Sequence, residues 1–412
     1  MNDQSVLIIG GGVIGVCSAY FLARSGVSVT LIEKDEIASG CSYGNGGLIV
    51  PSHAVPLASP EALGNGLRWL LDPESPFYIR PRLDLAFFSW LLRFVRDSNH
   101  QQVLTNLPIM RDLLFASRSL YAELAQEFDF GFEGNGSLTV YLSEQALQHE
   151  IKEAQLLKRF DIPLEVLDQD QVHKLEPALC PEVIGGIFYS RDGHINPHQF
   201  VTRLAARAQE LGAQVWTQTE VQDFESANGK ITRVWTNRGD VSPRHVILAA
   251  GSWSPHIARD LRLQIPIQPA KGYSLTFENP PVRPTRPLSF GEASVVLNPL
   301  REGLRVAGTL ELAGMDFSIN QRRVDAIRKA SNRYIVGLED ARVLETWRGL
   351  RPCTPDGLPI ISRSMHFNNL IVAAGHAMLG MSLGPITGRL VAQLINGENP
   401  ELDLSPFHIN RF

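Results

Sequence analysis

The stretch Val6-Leu7-Ile8-Ile9-Gly10-Gly11-Gly12-Val13-Ile14-Gly15 decides the fold of this chain. It runs from an apolar strand through a turn of glycines into an apolar helix that begins with Val13 and Ile14. A second apolar run, Val27-Ser28-Val29-Thr30-Leu31-Ile32, ends at Glu33-Lys34, with Glu33 eighteen residues past Gly15. Strand, glycine turn, helix, strand and acid are the parts of a dinucleotide cradle. Gly10 permits the tight turn, Gly12 lets backbone approach a pyrophosphate, and Gly15 lets helix and strand pack closely. The pyrophosphate would sit at the helix N-terminus, where free N–H groups and the helix dipole favour negative charge. Glu33 would accept hydrogen bonds from the adenosine ribose, and Lys34 is counted with it.

At 412 residues the chain is long enough for two domains or one elaborated domain. Hydrophobic residues make up 44% and charged residues 20%, an ordinary balance for a globular protein. The net charge of −5 argues against nucleic acid as a partner, which needs a basic surface. Cys17, Cys41, Cys180 and Cys353 form no CxxC pair, so neither a metal site nor a redox disulfide is expected. Scattered thiols fit a reducing compartment. Met1-Asn2-Asp3-Gln4-Ser5 carries no basic residue before the first strand, and no run of about 18 apolar residues occurs. A cytoplasmic protein without a membrane span is the expectation.

After the first β-α-β unit comes Ser39-Gly40-Cys41-Ser42-Tyr43-Gly44-Asn45-Gly46-Gly47. Its backbone N–H groups can wrap a cofactor; a plain surface turn is the alternative. Residues 83–96 read as a helix apolar around most of its circumference, with basic residues at one end. It is expected to be buried between domains, with docking on a membrane surface or a partner as the second reading. Gly185–Tyr189 reads as a strand, Asn196 as a helix N-cap with Pro197 in the first turn, and Gly212 as that helix's stop. Asn228-Gly229, Arg238-Gly239 and Glu302-Gly303 mark hairpins. Residues 321–337 read as helical, and the strand Leu370–Gly375 precedes a closing helix over 382–396. The expected class is α/β. A cofactor domain assembled from residues 1–55, 185–260 and 345–412 accompanies an α+β substrate domain with an antiparallel sheet, from 56–184 and 261–344. A ligand cleft would lie between them.

The fingerprint, the Asn45-Gly46-Gly47 loop, Val221, Ala249-Ala250-Gly251 and three later runs occur in an order that resembles the FAD-dependent amine and amino-acid oxidoreductases of the D-amino-acid oxidase superfamily. The later runs are Lys271–Thr276, Trp347–Pro359 and Gly375–Ser382. They look most like bacterial D-amino-acid dehydrogenase, while Gly193–Pro197 is closer to glycine oxidase.

The resemblance implies a Rossmann-like FAD domain of glutathione-reductase type. It implies cofactor contacts from the fingerprint, Ser42, Asn45, Gly46, Gly47, Val221, Ala250 and Gly251. Gly380, Met381, Ser382 and Leu383 would meet the flavin's pyrimidine edge through backbone N–H groups. Arg351 would hold a substrate carboxylate with its planar fork, the alternative being an ion pair with Asp356. Tyr273 would cap the substrate pocket, and His376 would touch flavin or substrate or serve structure alone; His53 is a further candidate near the flavin. The FAD would be non-covalent, because the position that carries the attaching cysteine in some relatives falls on Gly349. The implied reaction is oxidative deamination of a D-amino acid. Cis-4-hydroxy-D-proline, sarcosine and glycine are alternative substrates. A quinone or another carrier would take the electrons, with peripheral contact at the inner membrane.

Overall fold

The computed structural model describes residues 5–60, 64 and 74–412. Residues 1–4, which carry the reading of the N-terminus, and part of the 56–184 insert lie outside the described residues.

Six strands form the first sheet, in the order Ile360–Arg363, Leu370–Ala374, His245–Leu248, Ser5–Ile9, Ser28–Ile32, Gln214–Trp216. All run parallel except the edge strand Ile360–Arg363. The central strands are mostly apolar because both faces are covered: Val6–Ile9, Leu31, Ile32, Val246–Leu248 and Leu370–Ala374 are all buried. Val6 and Ile8 pack under the helices Val13–Arg24, Pro197–Glu210 and Gly380–Asn396. Leu7 and Ile9 face the other way, onto Ile231 and Val234 of a three-stranded meander over residues 221–241. That meander turns at Asn228 and Gly229, both left-handed, as the Asn-Gly pair requires.

The second sheet has nine strands. Its long members Val343–Cys353, Gln268–Phe277 and Gly303–Leu312 lie side by side and antiparallel. One face carries a core of Tyr273, Leu275, Phe277, Leu297 and Val306. Opposed residues share a face and neighbours along a strand alternate. Gly272, Ala307, Trp347, Gly349 and Arg351 therefore occupy the other face, toward the first sheet.

Several boundaries move. The strand Gly185–Tyr189, grouped with the cofactor domain on sequence, pairs with Ser137–Tyr141 in the second sheet. Residues 345–353 likewise run along the second sheet's edge. Strand pairing is set by contacts distant in sequence, which neither stretch states by itself. The segment 321–337 is helical only over Gln321–Ser331. The closing helix starts two residues early, at Gly380. The run Ala377–Asn396 is long and apolar enough by composition to cross a membrane, yet 67% of it is buried in the core. The helix expected between domains, Leu85–Asp97, buries only Phe87 and Trp90.

Candidate active site

The first sheet supplies one wall of a cleft. Gly10 turns the chain at φ +115° and donates its N–H to Ile32 O at 2.9 Å. A Cβ on Gly15 would lie 1.9 Å from Gly10 O, so helix and strand meet there only because glycine is present. A Cβ on Gly12 would meet only Ser42 Oγ, at 3.5 Å, so the mouth of the helix is open. Ser42 Oγ accepts from Val13 N at 3.0 Å. Glu33 accepts from Gly11 N at 2.7 Å and from Asp35 N at 3.0 Å. A carboxylate offers about four acceptor positions, so this one is fixed in place with capacity left for a ribose. Lys34 lies over the Trp253 ring, 5.0 Å from its centroid.

The loop after Ser42 is held from the second sheet. Arg305 donates to Tyr43 O at 3.0 Å and Asn45 O at 3.5 Å, and Asn298 Nδ2 donates to Gly46 O at 2.8 Å. The Trp347 indole fills the space where a Cβ on Gly44 or Gly349 would stand. With these carbonyls claimed from the sheet side, and with Tyr43 N donating to Gly40 O and Gly47 N to Asn45 Oδ1, the N–H groups of Gly44, Asn45 and Gly46 are the ones left for the cleft.

The floor is the open face of the second sheet. Arg351 reaches over Gly272 and donates Nη1 to Thr309 O at 2.6 Å. Four of its five N–H donors remain. No acid pairs with it among the described residues; Asp356 is taken by Arg411, at 2.6 and 3.2 Å. Tyr273 is among the residues lining the cleft, but its hydroxyl is engaged elsewhere. Strand alternation sends its ring to the opposite face, where its hydroxyl donates to Glu311 at 3.2 Å and accepts from Asn320 N at 3.1 Å. His376 lines the cleft, but Nε2 is engaged by Thr387 Oγ1 at 2.9 Å, and burial pulls its pKa down to about 3. It is a neutral imidazole tied to the closing helix.

One continuous cleft runs from Glu33 and Lys34 to Arg351. Gly10, Gly12, Val13, Ile14, Ser42, Asn45, Gly46, Val221, Ala250, Gly251, Gly380 and Met381 line it, as the sequence placed them. Gly15 and Gly47 do not line it. The first packs helix on strand, and a Cβ on the second would meet Asn298 Nδ2 at 2.3 Å. Ser382 and Leu383 also stand off. The Ser382 hydroxyl donates to Leu48 O at 2.8 Å, and Leu383 is core. His53 is exposed and away from the lining. Trp253, Gly272 and Trp347 line the cleft and were missed. The signal was present: a glycine inside an alternating strand marks a close approach, and Trp347, Gly349 and Arg351 are two residues apart.

The cleft fits a flavin dinucleotide. An open helix mouth suits a pyrophosphate, and an anchored acid at the end of the second strand suits a ribose. The helix Gly380–Asn396 starts without a side-chain cap, leaving its first N–H groups at the cleft. Cys41 also lines it, with its thiol donating to Leu350 O at 2.6 Å and burial raising its pKa to about 11.

A family model described as DAO, FAD dependent oxidoreductase, matches residues 5–394. Glycine oxidase from Geobacillus kaustophilus superposes with a TM-score of 0.81 at 23% identity, covering 99% of each chain. Glycine oxidase from Bacillus cereus ATCC 14579 gives 0.79 at 24%, over 100% of this chain and 99% of that one. L-proline dehydrogenase from P. horikoshii gives 0.77 at 23%, over 99% and 97%. These likenesses establish the fold.

Proposed function

The chain belongs to the DAO family of FAD dependent oxidoreductases, and from that premise we propose that it oxidises the Cα–N bond of a small D-amino acid whose carboxylate rests on Arg351. When bound, FAD supplies the acceptor for the hydride that leaves Cα. Loss of hydride from the neutral amine leaves the iminium form of the imino acid, which water hydrolyses to a 2-oxo acid and ammonium. The observation that carries the reading is Arg351: a guanidinium without an acidic partner among the described residues, at the end of a cofactor cleft, with four N–H donors unclaimed. Two of them form a bidentate pair with a carboxylate. Gripping the substrate there fixes its Cα, and that fixation supplies part of the rate. Gly272, Gly349 and Ala307 keep the floor low and carry no second charge, which supports a small apolar substituent. The uncapped start of the helix Gly380–Asn396 offers positive potential for charge developing at the flavin. No residue is assigned as a base, since a neutral amine loses hydride directly.

The D configuration rests on the likeness of Trp347–Pro359 to bacterial D-amino-acid dehydrogenase. A second reading is oxidation of glycine, sarcosine or a cyclic amino acid such as cis-4-hydroxy-D-proline. The same low floor supports it, as do the names of the glycine oxidase and proline dehydrogenase neighbours. Anaerobic reduction of the bound flavin by a panel of D- and L-amino acids, hydroxyprolines, glycine and sarcosine decides between them. Arg351→Ala should weaken the best substrate by roughly 100-fold, the scale of a lost charge-assisted pair. Undiminished binding in that variant overturns the assignment. The FAD is held non-covalently in this reading, so acid precipitation should leave the yellow colour in the supernatant.

A further inference from the structure

We infer that Phe317 is a positioning residue for FAD: it acts through Trp253, pinning the indole that walls one end of the cleft. Trp253 closes the short turn Gly251–Trp253 and lines the cleft with Lys34, Val221 and Ala250. Lys34 follows Glu33, the acid that suits the ribose, and its ammonium lies over the indole. The indole therefore stands at the ribose end. Phe317 does not line the cleft. Its ring stacks on Trp253, with centroids 6.1 Å apart and planes at 28°, inside the range where aromatic pairs attract beyond their burial. Arg348 completes the row, its guanidinium carbon 4.8 Å from the Phe317 centroid.

Phe317 is 43% exposed, and a single exposed aromatic is ordinary. This one is held from the second sheet. Arg348 Nε donates to Phe317 O at 3.0 Å. Asp316 accepts from Lys271 Nζ at 2.7 Å and from Ser318 N at 3.0 Å. Lys271 Nζ also donates to Ser318 O at 2.9 Å, and Asn320 N donates to the Tyr273 hydroxyl at 3.1 Å. Lys271 and Tyr273 are each 1% exposed, so the segment 316–320 hangs on buried anchors of the strand Gln268–Phe277. The turn that carries Trp253 meets the second sheet again through Ser252 Oγ, which donates to Leu350 O at 2.7 Å. An indole already fixed when the ligand arrives loses no rotamer freedom on binding, and that difference appears in the affinity. The inference needs FAD in this cleft and is independent of which amine is oxidised.

The test is the dissociation constant of FAD, read from free flavin in ultrafiltrates of serially diluted full-length holoenzyme. Phe317→Ala should raise it about 3- to 10-fold, the scale of a lost aromatic pair. Phe317→Tyr keeps the ring and should restore the wild-type value. Trp253→Ala should itself weaken binding, and adding Phe317→Ala to that variant should change it by less than about twofold, because the residue through which Phe317 acts is gone. General loosening of the fold would instead weaken both backgrounds alike. Wild-type affinity in Phe317→Ala overturns the inference. So does a Tyr variant as weak as the Ala variant, or a full further loss when Phe317→Ala is placed on Trp253→Ala.

Discussion

An alanine at Gly272 would place its Cβ 2.1 Å from Nη1 of Arg351. The guanidinium lies across that residue to reach Thr309 O, so it would have to move, and the strand beneath it would not. Gly272→Ala should therefore raise KM for the amino acid by about 10- to 100-fold, a loss of roughly 1.4 to 2.7 kcal/mol. Anaerobic titration of the flavin absorbance measures this, and unchanged KM would show that the guanidinium has another resting place. Asp192 is a second residue with a measurable signature. It is buried and accepts from Ser52 N, Ser52 Oγ and Ser137 Oγ, joining the loop after residue 50 to the second sheet. Burial outweighs those donors and raises its pKa from 3.8 to about 6. A carboxyl whose folded pKa is raised favours folding in its protonated form. Its contribution is whole below pH ~4 and is lost as pH rises through about 6. Asp192→Asn removes that loss. The urea midpoint of the variant should gain on the wild type between pH 4 and pH 7, and a constant difference would mean the carboxyl titrates normally.

The loop over residues 43–46 acts as an element of the second sheet, although it continues from the first. Arg305 and Asn298 hold three of its carbonyls, and Trp347 wedges beneath Gly44. If that grip sets the N–H groups toward the cofactor, Arg305→Met and Asn298→Ala should each weaken FAD binding to the apoprotein by about tenfold or more. Arg305→Lys, which keeps one donor group, should fall between. Equilibrium dialysis at a temperature where each apoprotein is folded separates this from simple destabilisation; equal affinity in the Met variant would reduce the residue to packing. Arg305 and Asn298 were not legible beforehand, because each lies more than 250 residues from the carbonyl it meets. Elements with local causes were legible. The Gly10–Gly15 turn, the Asn196 cap and the Asn228-Gly229 hairpin each depend on a few adjacent residues. Arg351 was legible through its motif. Tyr273 lines the cleft beside Gly272, but which way its ring turns was not legible, because facing follows from register and its ring joins the core of the second sheet.

At the scale of the molecule, the chain crosses between the sheets four times. It passes from residues 5–32 to 137–189, back to 214–248, across to 268–353, and home to 360–374. The cleft exists only when both sheets are in place, since Glu33 stands on one and Arg351 on the other. A ligand that binds only the folded form stabilises it by mass action, about 2.7 kcal/mol at 100 times its Kd. FAD touching both walls should therefore raise the apoprotein's melting temperature and draw the two sheets into one unfolding transition. ADP can reach the pyrophosphate and ribose groups of the first wall but offers nothing to the floor at Gly272 and Gly349. At matched saturation it should protect the first sheet and leave an earlier transition for the second. Calorimetry of the apoprotein with each ligand distinguishes the two. If ADP and FAD give the same single transition, the second sheet is held by its contacts with the first, such as Asp192 and Asn298, and the cofactor adds nothing to their union.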